Sequence, residues 1–400
     1  MRDRTQTLTA TSITLLLSVL VWFNYSAVLP LVIDDWGLST IQAGIVFGAF
    51  QAGYLVTIVP LGMLADRSTP RLVIAAGATG TGLASLGFAL IASGFVSAVV
   101  LRALAGACMA GVYVPGMQLV SDWYPEADRG SAMGLYVGMF SLGSGLSFFL
   151  SATVAATVGW RAAIAATSIG AVVAGPFAFA VALDPSDDHD EDAQLDFDFS
   201  ILRNRRYLAA VSTYAWHNWE LFAVRNWMVA FLLATVAVGG TALAGLLTGG
   251  MIVLGGVGNV VGGWLSDRIG RAWTAALALG TSGFVSVVIG NLTSVSLATL
   301  VVVLGVYGIV LTADSAPIST AVTETVPAEQ RGTALAVQSL AGFAPTVVSP
   351  VVFGAVLAIA GYGWAFRTLA LGAVFGVASA LLLDRARNDT GRLSLSKRYE

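Results

Sequence analysis

Gly263-Trp264-Leu265-Ser266-Asp267-Arg268 repeats, 201 residues on, the stretch Gly62-Met63-Leu64-Ala65-Asp66-Arg67. Two further blocks recur in the same order at offsets of 202 to 204. Pro125, Arg129, Gly130 and Ala132 answer to Pro327, Arg331, Gly332 and Ala334. Gly159-Trp160-Arg161 answers to Gly363-Trp364, with Arg367 three residues further, and Asp122 falls opposite Glu324. Three ordered blocks at offsets of 201 to 204 mark a duplicated architecture, and each Asp-Arg pair closes a long apolar run.

Those runs set the fold class. Of the 400 residues, 56% are hydrophobic and 11% charged, against about a quarter charged in soluble proteins. Apolar segments fall near 11–33, 39–64, 72–92, 96–120, 131–157 and 161–183, and again near 207–236, 241–265, 273–291, 295–319, 332–359 and 364–383. A spanning helix needs about 20 mostly apolar residues, and open strands cannot face lipid. The expectation is an all-α membrane protein with twelve transmembrane helices in two pseudo-symmetric six-helix bundles. The bundles are placed at 1–183 and 207–400, the second including a polar tail. The first apolar run is too long for a signal-peptide core and is read as a retained span.

Between the halves, 184–206 opens with eight acidic residues from Asp184 to Asp198. Such a stretch has too little apolar content to pack, so a solvated, mobile linker is expected. With the N-terminus inside, sixteen of the twenty Arg and Lys residues fall on the cytoplasmic side or in the two terminal segments. The positive-inside rule then places both termini and the linker in the cytoplasm of a plasma-membrane protein. The other four are Arg161 and Arg367 at outer helix starts, and Arg102 and Arg225 within spans. Glycines such as Gly77, Gly80, Gly134, Gly138, Gly255, Gly258 and Gly262 are read as close helix contacts.

Several functions are excluded or disfavoured. The only lysine, Lys397, lies near the end of the tail, so no phosphate-binding loop of the Gly-rich, Lys-containing kind exists. The two histidines, His189 and His217, stand on different segments without a zinc motif, and Cys108 is alone. No basic patch for nucleic acid is present. Neither metal nor cofactor is expected, and enzymatic activity is not.

The paired loops carry a resemblance to the major facilitator superfamily of transporters. The family signature G-x-L-x-D-R-x-G-R stands as Gly263, Leu265, Asp267, Arg268, Gly270 and Arg271. The first copy keeps Gly62, Leu64, Asp66, Arg67 and Arg71, but Thr69-Pro70 interrupts it. The fourth-span signature appears as Arg102, Gly106, Ala110 and Gly111. The resemblance covers the whole chain and implies alternating access with the solute site between the halves. It also implies a latch, in which Arg67 or Arg71 reaches Asp122 and Arg268 or Arg271 reaches Glu324. Asp66 and Asp267 would stabilise the outward-open state. The Gly-Pro pair of many drug–proton antiporters is missing around Gly138 to Gly145, which lowers a drug-export reading without removing it. Nitrate porters use an Arg in spans two and eight, and neither span has one in its interior. Asn24 to Pro30 and Gly44 to Asp66 are broadly similar to bacterial anion and organic-acid porters.

The seventh segment is the polar one, with Tyr214, Trp216, His217, Asn218, Glu220 and Arg225 within a dozen residues. Ionisable groups at membrane depth are costly and face a cavity or a partner. Glu220 and His217 are neighbours at i,i+3 and are the proton-coupling candidates. Arg102, Arg225, Tyr214, Asn218, Trp216 and Asn24 are the solute-binding candidates, an Arg being suited to a carboxylate. A buried polar network that only fixes helix packing is the competing interpretation. Asp314 is assigned such a structural role near the inner gate. The expected function is secondary transport of a small solute, an organic anion among the options, coupled to protons by a single chain in the bilayer. An uncoupled facilitator, a drug antiporter and a membrane sensor are the alternatives.

Overall fold

The computed structural model describes residues 2–184, 199–327 and 330–396. It holds α1 (Arg2–Trp36), α2 (Thr40–Arg67), α3 (Pro70–Ile91), α4 (Phe95–Trp123), α5 (Glu126–Val158) and α6 (Trp160–Val181) in the first half. A short 3-10 turn, Phe199–Arg203, leads into the second. There follow α7 (Arg205–Leu233), α8 (Thr241–Ile269), α9 (Arg271–Ile289), α10 (Leu297–Val310), α11 (Ser315–Glu324) and α12 (Arg331–Ser396). Of the expected linker 184–206, residues 185–198 lie outside the described residues, while 199–203 form the 3-10 turn and α7 begins at Arg205.

Ten of these stretches are long and apolar enough to cross a membrane. Twelve crossings follow from three local facts. The 66 residues of α12 turn at Gly361, whose φ of 76° splits the stretch into two spans. Together α10 and α11 make one span, broken by a turn at 311–314. At 29 residues, α7 is about 43 Å long; its polar middle alone keeps it out of an apolar count. The turn glycine opposite Gly159 (φ 105°) is thus Gly361 and not Gly363. Only glycine takes such a backbone without strain. The loop between α8 and α9 uses the same device at Gly270 (φ 90°). Its counterpart between α2 and α3 has Pro70 at the first helical position instead, which explains why that signature copy departs from the pattern.

In the first half α1 packs on α5 and α6, α2 on α4, and α3 on α4 and α6. In the second, α7 and α9 pack on α12, and α8 on α10. The halves meet through α2 with α12, α5 with α8, and α1 with α7.

Glycines reveal how that meeting is arranged. A methyl group on Gly48 would lie 2.6 Å from the Val347 carbonyl oxygen, and one on Gly249 2.6 Å from that of Gly145. Gly44 touches the Pro350 backbone, and Gly245 touches Phe148 and Ala152. Thr40 Oγ1 adds a hydrogen bond of 2.6 Å to the Gly354 carbonyl. Eighteen residues is five full helical turns, so Gly62 shares a face with Gly44, and Gly263 with Gly245. Yet Gly62 and Gly263 have nothing within 4 Å, and neither do Gly134 and Gly138 on α5. Over about 27 Å along each helix, the same faces pass from backbone contact to open space. The halves are closed at the end bearing the α1–α2 loop and splayed at the end bearing the α2–α3 and α8–α9 loops.

Candidate functional site

Polar groups concentrate on α7. Glu220 is 1% exposed and lies among hydroxyls from two other helices. Ser282 Oγ of α9 donates to its Oε2 at 2.8 Å, and Ser286 Oγ donates to Oε1 at 2.6 Å. Tyr307 OH of α10 is 3.2 Å from Oε1 and 2.5 Å from Ser286 Oγ. A hydroxyl both donates and accepts. The cluster can therefore donate to an ionised carboxylate or, by turning one hydroxyl, accept a proton-bearing one. Neither state leaves a buried polar group stranded.

One turn earlier His217 faces a different neighbour. Its Nδ1 is 2.9 Å from Asp314 Oδ1, and its Nε2 is 3.2 Å from Ser315 Oγ. Asp314 sits in the break between α10 and α11, 1% exposed. Sequence spacing pairs His217 with Glu220; the helices packed around α7 give the two separate partners. Asp314, read from the sequence as a polar group near the inner gate, is also the acid that holds His217.

The arginines differ as well. Arg102 is 1% exposed and donates from Nη1 to the Val21 carbonyl (3.0 Å) and from Nη2 to that of Trp22 (3.1 Å). Its guanidinium also lies 4.5 Å from the centre of the Phe50 ring. Through these two terminal nitrogens it is committed to α1 within its own half, although its Nε, like that of Arg225, has no partner. Arg225 is 6% exposed and lies where α7 meets α1, 5.3 Å from the Phe23 ring centre and 6.0 Å from that of Phe222. It makes no ion pair with an acid among the described residues, and its Nε has no partner within the protein. Beneath it, rings from both halves form a cluster: Trp22 with Phe50, Tyr54, Phe140 and Phe222, and Phe343 with Tyr54, Tyr214 and Phe222.

The remaining candidates scatter. Asn24 donates to Ser85 (3.2 Å) and Thr167 (3.1 Å) inside the first half, away from the interface. Asn218 ties α7 to the Gly342 carbonyl of α12 at 3.0 Å. Trp216 stacks on Phe375 at 4.9 Å, on the packing side of the second half. Tyr214 reaches Phe343 and His217.

At the loops, Arg271 Nη1 is 2.6 Å from Asp267 Oδ1, and its Nη2 is 3.3 Å from Glu324 Oε1. In the first copy Arg71 turns away: its Nε is 2.8 Å from Asp184 Oδ2, and its backbone N–H donates to Oδ1 of the same residue. Arg268 lies over the Trp264 ring at 3.5 Å, Arg67 is exposed, and the side chain of Asp66 lies outside the described residues.

The profile of the Major Facilitator Superfamily matches residues 11–244 and 222–398. The chain belongs to that superfamily. It is a secondary transporter of the family and not an enzyme. A bacterial homologue of the human lysosomal transporter Spinster, in an inward-facing and occupied conformation, superposes with a TM-score of 0.82. That likeness covers 97% of both chains at 16% identity and concerns the fold. Among sequence relatives, a probable sulfoacetate transporter of Cupriavidus necator is 28% identical over 66% of this chain and 65% of its own length. A gallate transporter of Pseudomonas putida is 26% identical over 89% of this chain and 86% of its own.

Sequence reasoning missed Ser282, Ser286 and the role of Tyr307 around Glu220. The only signal was the i,i+4 spacing of two serines in α9, and hydroxyls at that spacing are common in membrane helices.

Proposed function

We propose that this superfamily member moves a small organic anion by proton-coupled alternating access. Arg225 would hold the anion and Glu220 would carry the proton. The observation that carries the reading is a buried cation, Arg225, between the two halves with no described acid to pair it. A buried charge needs a partner, and a carboxylate or sulfonate entering between the halves would supply one in a forked geometry. Sulfoacetate and gallate, named for two relatives, are both organic anions. A cationic drug would meet like charge there, which disfavours the export reading.

Proton coupling rests on the rotatable hydroxyls around Glu220, which serve both protonation states. His217, held by Asp314, stands one turn away as the second proton-coupling candidate. Arg102, bound to α1 carbonyls, serves as a positioning residue. Within this reading the units are 1–183 and 207–400, joined by 184–206. Both termini are cytoplasmic, the membrane is the plasma membrane, and the splayed end opens inward.

Proteoliposome uptake of a radiolabelled organic acid, with and without an imposed pH gradient, tests the proposal. Uphill accumulation driven by the gradient and lost in Arg225→Ala is expected. Equal rates with and without a gradient would leave an uncoupled facilitator, and unchanged uptake by Arg225→Ala would remove the anion site.

A further inference from the structure

Around Arg225, four more polar groups at the junction of the halves lack partners within the protein. Asn226 is fully buried; its Oδ1 accepts from Ser26 Oγ of α1 at 3.2 Å, but its Nδ2 donates to nothing. Trp22, 1% exposed, leaves its indole Nε1–H unused. Gln51, fully buried on α2, has neither Nε2 nor Oε1 engaged. By helical spacing Gln51 lies on the face of Gly44 and Gly48, which packs on α12 of the other half. It stands one turn from Tyr54, whose ring contacts Trp22 and Phe343. Trp22 in turn contacts Phe222, one turn from Arg225 on α7.

Buried donors left without acceptors are rare, because each loses its hydration with no return. Of the unpartnered buried atoms among the described residues, five lie on α1, α2 and α7 along this junction. Their balance is uneven. Arg225 Nε, Asn226 Nδ2, Trp22 Nε1 and Gln51 Nε2 are donors, against the single acceptor Gln51 Oε1. Of the buried acids on α7 and α10–α11, Glu220 is engaged with Ser282, Ser286 and Tyr307; Asp314 meets His217 through Oδ1, and its Oδ2 has no partner.

We infer that the site takes an acid with two oxygen-rich ends: a carboxylate plus a second oxyanion or polyhydroxyl head on a short skeleton. This rests on the anion reading above and specifies its substrate class. Arg225 takes one end. The donors of Asn226, Trp22 and Gln51 take the other, with Gln51 Oε1 free for a hydroxyl. A simple monocarboxylate satisfies Arg225 alone and strands the other donors. A site built to hydrogen-bond a group rejects an analogue lacking it far more strongly than an apolar pocket rejects an added group.

The test is ligand-induced thermal stabilisation of the purified full-length protein, titrated with acids paired by skeleton. Succinate is set against butyrate, and gluconate against hexanoate. The expected result is at least tenfold tighter binding of the oxygen-rich member of one or both pairs. In that pair Gln51→Leu, which nearly keeps size, and Trp22→Phe, which keeps an aromatic ring but no N–H, erase most of the preference and leave the monocarboxylate unchanged. Arg225→Ala loses both members. Wild-type protein that binds both members of each pair within threefold overturns the inference while leaving the anion reading standing. So do the Gln51 and Trp22 variants if they keep the preference intact. Binding undiminished in Arg225→Ala, or no binding by any of the four acids, overturns the anion reading with it. Because the wild-type ratio alone decides the first point, a variant that fails to fold does not rescue the idea.

Discussion

In the first six helices the buried charged group is Arg102; in the last six there are Arg225 and Glu220, with the His217–Asp314 pair one turn from Glu220. Arg102 and Glu220 lie in bundles built on the same helix plan, yet their partners differ in kind. Arg102 donates to two backbone carbonyls of α1. Carbonyls in a helix are fixed and accept only, so that arrangement has one state. Glu220 meets three hydroxyls, which rotate and both donate and accept, so that arrangement has at least two. The loops diverge in the same direction. Arg71 is tied to Asp184 at the start of the acidic segment, whereas Arg271 bridges Asp267 and Glu324. Duplication thus kept the packing positions while the polar chemistry became static in one half and switchable in the other.

The comparison breaks most visibly at Glu220. Glu220→Gln keeps the shape and most hydrogen bonds but removes the exchangeable proton. Accumulation driven by a pH gradient should fall by roughly a hundredfold, the scale of losing a general acid–base group, while exchange down the solute gradient persists. Vesicle uptake with imposed pH gradients is the measurement, and full gradient-driven accumulation would return Glu220 to a packing role.

The two arginines give a matched pair. Arg102→Lys keeps the charge but cannot fork across two carbonyls. It should lower the thermal midpoint, with a loss of about 1–3 kcal/mol, and leave solute affinity within threefold. Arg225→Lys should do the reverse, weakening solute binding at least tenfold with little change in midpoint. Melting curves and ligand titrations on both proteins separate the roles. An Arg102→Lys protein that melts normally but binds poorly would make the first half a solute-binding half.

At the interface, Gly48→Val pushes a branched side chain into the Val347 carbonyl, where even a methyl would lie at 2.6 Å. Contacts at the closed end should loosen and the population should shift toward the outward-open state. Gly62→Val, on an open face, should stabilise nothing at that end. Alkylation of single cysteines placed at positions 351 and 263, in a Cys108→Ser background, reads the shift. Equal labelling in both variants would refute the hinge geometry.

The smallest effects belong to the loops and linker. Arg271→Gln should raise inward labelling at most a few-fold, because Arg271, Asp267 and Glu324 are partly or fully exposed and such pairs are worth about 0–1 kcal/mol. Replacing the acidic residues from Asp187 to Asp198 with Ser and Gln should change initial transport rates less than twofold. A tenfold loss in a normally folded protein would assign the segment a specific role.

Much of this was legible in one dimension. Ordered repeats at nearly constant offsets announce two homologous halves. Run lengths announce twelve crossings, because bilayer thickness and helical rise together set a minimum length. The polar stretch from Tyr214 to Arg225 stands out on any helix bound for a membrane. Polarity along one helix, however, carries no information about which neighbours receive each side chain. The sequence alone ranked Arg102 and Arg225 as equivalent, placed His217 with Glu220, and listed Asn24 and Trp216 beside them. Only helix packing separated these. It turned Arg102 inward onto α1, set Arg225 between the halves, and brought Ser282, Ser286 and Tyr307 from helices 62 to 87 residues away around Glu220. The closed and splayed ends were also undecided until then, since Gly44 and Gly62 share a helical face and differ only in what the other half places opposite them. Span count follows from composition along the chain; site chemistry depends on which groups meet across it, and that is a property of the folded arrangement.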